Sequence, residues 1–255
     1  MTKIILNGCL GRMGKVVRAL SETDRECEIV AGVDIVISFD GLTIPTYPSF
    51  SYCDMPADVV MDFTGPGALS DLLGFCLKKA LPVVICSTGY TEQDKREIQS
   101  ASRHIAVFYS PNMSLGIGLI VSMLGRASRL LNGSGFDIEI VERHHNQKKD
   151  APSGTALLLA DAANKALDGE MKINAGRSGR ESKRDKNEIG MHSIRGGSIV
   201  GEHSVVFAGH DEVIEFKHTV LSREVFAVGA LKAAAFIKGK PAGLYDMQDL
   251  MDGFE

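Results

Sequence analysis

The sequence predicts an α/β protein, with a doubly wound parallel sheet followed by a smaller α+β part that contains a mixed or antiparallel sheet. Three observations support this fold class. Short apolar runs alternate with amphipathic stretches through the first hundred residues. Closely spaced β-rich runs come later, and an apolar helix lies near the end of the chain. The length corresponds to roughly 1.7 domains of average size, which allows one large domain or two smaller ones.

The first part of the chain has the order of repeated βαβ units. Strands are predicted at residues 3–7, 27–33, 58–63, 82–86 and 105–109, and helices at residues 13–21, 67–79 and 91–102. In the first helix, Met13, Val17 and Leu20 recur at the spacing of one helical face. Strands that alternate with helices indicate a parallel sheet, and right-handed crossovers then give the doubly wound arrangement.

The later part has a different order of elements. Helices are predicted at residues 116–131 and 153–167, a strand at 137–142, and β-rich runs at 191–200, 203–208 and 213–220. Because short turns separate the β-rich runs, we expect them to pair antiparallel. The polar stretch 168–188 lacks apolar periodicity and is expected to be a mobile or functional loop. Helix 225–237 carries few charges, so it should pack on the first sheet.

Composition and charge exclude several classes of protein. Hydrophobic residues make up 44% and charged residues 24% of the chain, as in ordinary globular proteins. The formal net charge of −4 argues against a dedicated nucleic-acid binder. Five cysteines without C-x-x-C spacing argue against a disulfide framework and a zinc site, so no metal is expected. We see neither a signal segment nor an apolar run of membrane-spanning length, and therefore expect a soluble, cytoplasmic protein with no membrane partner.

A glycine-rich turn follows the first predicted strand. Gly8, Gly11 and Gly14 are spaced so that the backbone can approach a pyrophosphate at the start of a helix. The spacing differs from the standard G-x-G-x-x-G fingerprint because Leu10 stands at its middle glycine. A plain strand–helix turn is therefore the alternative to a Rossmann-like dinucleotide site.

An acidic residue at the end of the second predicted strand strengthens the dinucleotide hypothesis. Asp34 lies 20 residues after Gly14, where a carboxylate would bind the ribose hydroxyls of the adenosine. Ile35 follows it, and no Arg or Lys lies between Asp34 and Asp40. We therefore predict that NADH is accepted at least as well as NADPH. The alternative is that Asp34 only caps a turn.

The densest group of reactive side chains lies between residues 142 and 155. His144, His145, Lys148 and Lys149 follow a predicted strand, and the sequence Pro-Ser-Gly-Thr then begins a helix. A serine or threonine cap and free helical N–H groups favour anion binding at Ser153 to Thr155. This segment thus combines a proton donor with a carboxylate site. A solvated basic loop is the alternative.

At this point the chain resembles a known family, the bacterial 4-hydroxy-tetrahydrodipicolinate reductases (dihydrodipicolinate reductases) of the diaminopimelate–lysine pathway. The family signature E-x-H-H-x-x-K-x-D-A-P-S-G-T-A matches residues 142–156 in order. Further similar segments are the glycine turn, residues 62–66, residues 87–89 with Cys86 in place of the family's first glycine, residues 110–116 and residues 194–203. The similarity covers nearly the whole chain.

The resemblance implies hydride transfer from NADH or NADPH to a cyclic imine dicarboxylate, giving tetrahydrodipicolinate. His144 would be the general acid, and Lys148 would assist proton donation or hold a carboxylate. The implied substrate contacts are His145, Ser153, Gly154, Thr155 and Arg195. For Arg195, an ordinary surface ion pair is the open alternative. The implied cofactor contacts are Gly8, Cys9, Leu10, Gly11, Arg12, Met13, Gly14, Asp34, Phe63, Thr64, Cys86, Ser87, Thr88, Gly89, Ser110, Pro111, Asn112 and Met113.

The resemblance also implies a domain organisation and an assembly. The dinucleotide-binding domain would comprise residues 1–112 and 223–255, with residues 113–222 inserted as a substrate-binding and oligomerisation domain. Residues 112–116 and 222–223 are then hinge candidates, and a homotetramer would form through the second sheet. The basic loop 177–186 would cover the substrate or contact another subunit. The competing hypotheses are a dehydrogenase for another small carboxylated substrate and a dinucleotide-sensing protein without turnover.

Overall fold

The computed structural model describes residues 1–36 and 43–253. The chain forms two compact units, Met1–Leu115 with Glu224–Glu255, and Gly116–Arg223. It therefore leaves the first unit after Leu115 and returns to it at Glu224. No helix in the described ranges combines the length and the apolar character that a membrane span requires.

The first unit contains the predicted parallel sheet. Its strands are Thr2–Asn7 (β1), Cys27–Val33 (β2), Thr46–Tyr47 (β3), Val59–Asp62 (β4), Val83–Ile85 (β5), Ala106–Tyr109 (β6) and Gly243–Tyr245 (β12). Its helices are Arg12–Ser21 (α1), Leu69–Lys79 (α2), Glu92–Ala101 (α3), Glu224–Ile237 (α6) and Met247–Asp252 (α7). The order β12-β6-β5-β4-β1-β2-β3 reverses beside β1, so the doubly wound arrangement is confirmed. The sequence prediction did not include the short strands β3 and β12 or helix α7.

Apolar burial on both faces of the sheet explains this arrangement. The central strands are almost continuously apolar, and Ile4, Val60 and Val84 are fully buried. Helices α1 and α6 pack on one face and α2 and α3 on the other. Small residues such as Ala233 and Ala234 let α6 lie close to the strands, which confirms the predicted packing of this helix.

The second unit is built on a mixed five-stranded sheet. Its elements are Leu115–Asn132 (α4, which begins at the boundary), Asp137–His144 (β7), Gly154–Lys165 (α5), Lys172–Ala175 (β8), Glu188–Arg195 (β9), Gly201–Ala208 (β10) and Val213–Val220 (β11). In the order β11-β10-β7-β9-β8, the pairs β10–β11 and β10–β7 are antiparallel. The pairs β7–β9 and β8–β9 are parallel.

Two predictions about this unit are wrong. Strands β9 and β10 do not pair with each other, because β7 lies between them and buries Ile138 and Ile140 in the core. The stretch 168–188 is not entirely loop, because it contains β8 and the first residue of β9. Strand β8 is an exposed edge strand, so it lacks the apolar alternation by which a strand is recognised in a sequence.

Candidate functional site

The glycine-rich turn lies where β1 ends. Gly8 has a φ of +78°, which glycine adopts without steric cost. A Cβ atom on Gly14 would lie 2.1 Å from the Gly8 carbonyl oxygen, so glycine is needed for α1 to approach the turn this closely. No described side chain caps this helix at Gly11. The backbone N–H groups of Arg12 and Met13 are therefore available to an anion.

Asp34 closes the same turn from the end of β2. Its Oδ2 accepts a hydrogen bond from the Leu10 N–H at 2.9 Å, and its Oδ1 accepts one from the Val36 N–H at 3.1 Å. Asp34 thus does cap a turn, but each carboxylate oxygen can accept a further hydrogen bond. Ile35 beside it is exposed. The stretch up to Asp40, on which the cofactor prediction partly depends, lies mostly outside the described residues.

A buried carboxylate joins three neighbouring strand ends. Asp62 accepts hydrogen bonds from Asn7 Nδ2 at 2.7 Å, Thr64 Oγ1 at 2.5 Å and Ser87 Oγ at 2.9 Å. Burial raises its pKa, and these hydrogen bonds oppose that effect. The loops that carry Thr64 and Ser87 are therefore fixed relative to the glycine turn.

The other predicted cofactor residues also follow strand ends of this sheet. Cys9 is buried within the glycine turn. Phe63, Cys86, Thr88, Gly89, Ser110, Pro111, Asn112 and Met113 follow the carboxyl ends of β4, β5 and β6. Ligands of doubly wound sheets bind at this edge, beside the point where the strand order reverses.

A cavity of about 850 Å³ opens along this edge. Its lining includes Asp34 and Thr64 together with Phe50 and Phe75, whose rings stack with centroids 4.6 Å apart. This volume is within the range of small-molecule and cofactor sites. The cavity suits a ligand that has both apolar and hydroxylated parts.

A second group of functional side chains lies at the carboxyl end of β7, in the second unit. His144 Nδ1 is 2.6 Å from Oε2 of Glu142, a side chain with no exposure. Burial raises the pKa of Glu142, but hydrogen bonds from Arg195 and His144 outweigh it and bring the pKa to about 2. Burial also lowers the pKa of His144, and Glu142 only partly opposes this shift.

Arg195 belongs to this group through its contact with Glu142. Its Nη1 donates to Oε2 at 2.8 Å and its Nη2 donates to Oε1 at 2.7 Å. The guanidinium also donates to the carbonyl oxygens of Asp150 and Ile194. The sequence allowed a surface ion pair, whereas the acidic partner in the structure is fully buried. A direct substrate contact for Arg195 stays a prediction.

Ser153 and His203 complete the buried part of the group. Ser153 caps α5, because its Oγ accepts a hydrogen bond from the Ala156 N–H at 3.2 Å. His203 Nε2 lies 3.0 Å from the same hydroxyl oxygen, and the ring packs edge-on against His144 with centroids 5.1 Å apart. Burial, together with the charge of His144, lowers the pKa of His203 to about 4.

The loop after β7 carries the predicted cations. Lys148 Nζ lies 2.9 Å from Asp150 Oδ1, and the lysine charge helps to lower the pKa of His144. His145 is half-buried and its carbonyl oxygen accepts a hydrogen bond from the Lys148 N–H at 3.2 Å. Gly154 and Thr155 form the first residues of α5. The second unit therefore brings the predicted acid, the lysine and the helix N-terminus together.

Sequence reasoning assigned no role to Glu142 or His203. Glu142 stands two residues before His144, so both side chains lie on the same face of a strand. That spacing could have indicated their contact. His203 lies 59 residues further along the chain than His144, and only the sheet pairing brings the two rings together.

A similar cluster occupies the opposite face of β7. Glu139 contacts Arg177 at 2.6 Å, His192 at 2.7 Å and Arg184 at 3.1 Å. Arg177 also pairs with Glu188. These contacts attach two cations of the basic loop to the sheet, while Arg180, Lys183 and Lys186 are exposed. Among the described residues, no group of three or more His, Cys, Asp or Glu side chains could hold a metal ion.

Comparison with protein families gives matches to both parts of the chain. Residues 2–113 match the family model described as "Dihydrodipicolinate reductase, N-terminus". Residues 116–251 match the one described as "Dihydrodipicolinate reductase, C-terminus".

Curated relatives match over the full length. The chain is 50% identical to the 4-hydroxy-tetrahydrodipicolinate reductase of Clostridium tetani over 252 residues, which cover 99% of this chain and 98% of that protein. It is 48% identical to the reductase of the same name from Caldanaerobacter subterraneus, with 98% of both chains covered.

Solved structures share the fold. A dipicolinate-bound dihydrodipicolinate reductase from Paenisporosarcina sp. TG-14 matches with a TM-score of 0.76 and 21% identity, covering 96% of this chain and 97% of that chain. A probable dehydrogenase from Thermotoga maritima matches with a TM-score of 0.63 and 12% identity, covering 97% and 92%. At these identities the likeness supports the fold class alone.

Proposed function

The chain belongs to the dihydrodipicolinate reductase family, and we propose that it reduces 4-hydroxy-tetrahydrodipicolinate to tetrahydrodipicolinate in diaminopimelate and lysine biosynthesis. The family predicted from the sequence is thereby confirmed. The first unit, with its glycine turn and strand-end cavity, binds NAD(P)H. The second unit binds the substrate. Bound NAD(P)H supplies the hydride, and the protein supplies orientation and charge.

His144 is the proposed general acid. Once the 4-hydroxyl of the substrate has left as water, reduction adds a hydride to one carbon of the resulting ring double bond and a proton to its neighbour. Histidine suits the proton transfer because its pKa lies close to the working pH. The observation that carries this assignment is the buried contact of Nδ1 with Glu142, which fixes the imidazole beside the capped start of α5.

The carboxylates of the substrate are bound next to this acid. Ser153 caps α5, and the N–H groups at Gly154 and Thr155 occupy its first turn, where the helix dipole favours an anion. Lys148 adds positive charge in the same unit, and His145 is proposed as a further carboxylate contact. Arg195 contributes to the site through Glu142.

The cofactor preference is proposed to favour NADH. Asp34 at the end of β2 would repel the 2′-phosphate of NADPH while it accepts hydrogen bonds from the ribose hydroxyls. The values of kcat/KM for the two cofactors test this preference. A strong advantage for NADPH would contradict it. A homotetramer and a cytoplasmic location stay predictions.

The activity itself is tested by supplying the product of the preceding synthase and following NADH absorbance. We expect turnover by the wild-type chain, and lost turnover with retained NADH binding for Lys148→Ala. A dehydrogenase for another carboxylated substrate would leave the synthase product unreduced. A sensing protein would bind NADH without consuming it. Full turnover by both Lys148→Ala and His144→Ala would contradict the assigned roles.

A further inference from the structure

The proposed reaction requires one ring nitrogen of His144 to deliver a proton, and the structure indicates which one. We propose that Glu142, held by Arg195, is a positioning residue that keeps a proton on Nδ1 of His144 and makes Nε2 the atom that delivers a proton to the substrate. The delivery step rests on the proposed function, whereas the position of the Nδ1 proton does not.

The hydrogen-bond donors around Glu142 determine the ionisation state of its carboxyl group. Two guanidinium N–H groups of Arg195 donate to it, one to each carboxylate oxygen. The backbone N–H of Ser153 donates to Oε1 at 3.2 Å. Neither Arg195 nor this backbone N–H can accept a hydrogen bond. The Ser193 side chain also hydrogen-bonds to the carboxylate, and together these contacts outweigh burial and lower the pKa of Glu142 to about 2, so the carboxylate is ionised at neutral pH.

The same argument fixes the tautomer of the imidazole. Nδ1 of His144 lies 2.6 Å from Oε2, and an ionised carboxylate has no proton to donate. Nδ1 must therefore carry the hydrogen of this bond. The neutral ring then has its lone pair on Nε2, and a proton taken up by the ring is carried there.

The surroundings leave Nε2 free for proton exchange. In the described part of the chain, the side-chain hydrogen bond of this ring is made through Nδ1 and not through Nε2. A Cβ atom at residue 201 would lie 3.1 Å from Nε2, so Gly201 keeps space next to it. The charged or titratable groups facing the ring are Glu142 on β7, Arg195 on β9, His203 on β10 and Lys148 in the following loop.

Loss of the carboxylate has two predictable consequences. Burial, Lys148 and Arg195 lower the pKa of His144, and Glu142 is the group that opposes them. Replacing Glu142 by glutamine should therefore move the titration of His144 to lower pH. An amide also offers one acceptor oxygen where the native residue offers two, so the imidazole loses its fixed tautomer.

The tautomer is measured directly on the wild-type chain by NMR of ¹⁵N-labelled histidines, at a pH where His144 is neutral. The His144 signals are assigned by their absence in His144→Gln. We expect a protonated Nδ1 and an unprotonated Nε2. A proton on Nε2, or free exchange between the two tautomers, would overturn the proposal whether or not the chain turns over substrate.

Kinetics of Glu142→Gln then test the consequence for catalysis. We expect kcat to fall by about tenfold to a hundredfold, as for other residues that orient a functional histidine. The KM for NADH should be unchanged, and the limb of the kcat profile that reports His144 should shift to lower pH. These two readouts separate positioning from a general loss of folded protein.

Glu139→Gln is the matched control. Glu139 lies on the same strand, contacts a histidine and is held by arginines. We expect its kcat to stay within about twofold of wild type. A wild-type kcat and pH profile for Glu142→Gln, or an equal loss in both variants, would refute the proposal. If Glu142→Gln does not fold, the wild-type NMR measurement decides. If wild-type protein does not reduce the substrate, the proposed function fails and the NMR result still stands.

Discussion

Two clusters of the same composition lie on opposite faces of β7 and differ mainly in their surroundings. The inner cluster is Glu142, Arg195 and His144, and the outer cluster is Glu139, Arg177 and His192. Their His–Glu distances are nearly equal, at 2.6 and 2.7 Å. The inner histidine side chain is 10% exposed and the outer one 36%. The chemistry of a His–Glu pair therefore has to be inferred from the groups around it.

Those groups give the two clusters different roles. The inner histidine lies next to the capped start of α5 and within the influence of Lys148, so an anion and a proton donor can meet there. The outer cluster attaches Arg177 and Arg184 of the basic loop to the sheet. We interpret the inner cluster as catalytic and the outer one as structural.

The largest expected difference between the clusters is in turnover. His144→Ala should lower kcat by about 10²- to 10⁴-fold, the usual contribution of a general acid. NADH affinity should be unchanged, because the cofactor residues lie in the other unit. His192→Ala should retain turnover close to wild type. Steady-state kinetics measure kcat, and fluorescence titration measures NADH affinity, in both variants. Similar losses of kcat in the two variants would show that the clusters do not differ in their contribution to turnover.

A smaller difference is expected in the free energy of unfolding. Glu142→Ala removes the acceptor for Arg195 inside the protein, and breaking a buried pair costs about 3–5 kcal/mol. Glu139 keeps 18% of its side chain exposed, beside Arg177 at 20%, so Glu139→Ala should cost less than Glu142→Ala, about 1–3 kcal/mol. Urea unfolding at neutral pH measures both values. Equal values would show that burial does not distinguish the clusters.

Acid should reduce the contribution of Glu142 to the free energy of unfolding. Its pKa is lowered from 4.5 to about 2 in the folded protein, so its stabilising effect is present above pH 4.5. The effect is lost as the pH falls towards 2, because the unfolded chain takes up the proton first. The difference in unfolding free energy between wild type and Glu142→Gln should therefore shrink over this range. A constant difference would contradict the lowered pKa.

The smallest expected effect is that of His203 on the pH dependence of stability. This buried histidine stays neutral down to about pH 4, whereas in the unfolded chain it is protonated below pH 6.5. The unfolded state therefore binds more protons, and stability falls as the pH drops from 6.5 to 4. His203→Gln should have a flatter dependence of Tm on pH over this interval, measured by thermal unfolding. An unchanged slope of Tm against pH would show that His203 does not contribute to the loss of stability in acid.

The sequence predicted the parallel sheet well because its central strands are continuous apolar runs separated by amphipathic helices. It failed where pairing depends on distant residues. Strand β7 separates β9 from β10, and no local pattern in residues 188–208 indicates this insertion. The exposed edge strand β8 gives no apolar signal.

The candidate site was also predicted only in part from the sequence. Its motif residues His144, Lys148 and Ser153 are close together in sequence and could be recognised from spacing. The contact between Glu142 and Arg195 joins residues 53 positions apart. Sequence spacing alone could not distinguish this contact from a surface ion pair.

The most direct test of the central claim is to determine which of the two clusters lies next to the bound substrate. Dipicolinate, the planar dicarboxylate bound in the Paenisporosarcina structure, can be titrated into ¹⁵N-histidine-labelled protein while the ring signals of His144 and His192 are followed. We predict that dipicolinate shifts the His144 signals and leaves those of His192 unchanged. A shift of His192 alone, or of neither ring at saturating dipicolinate, would contradict the account.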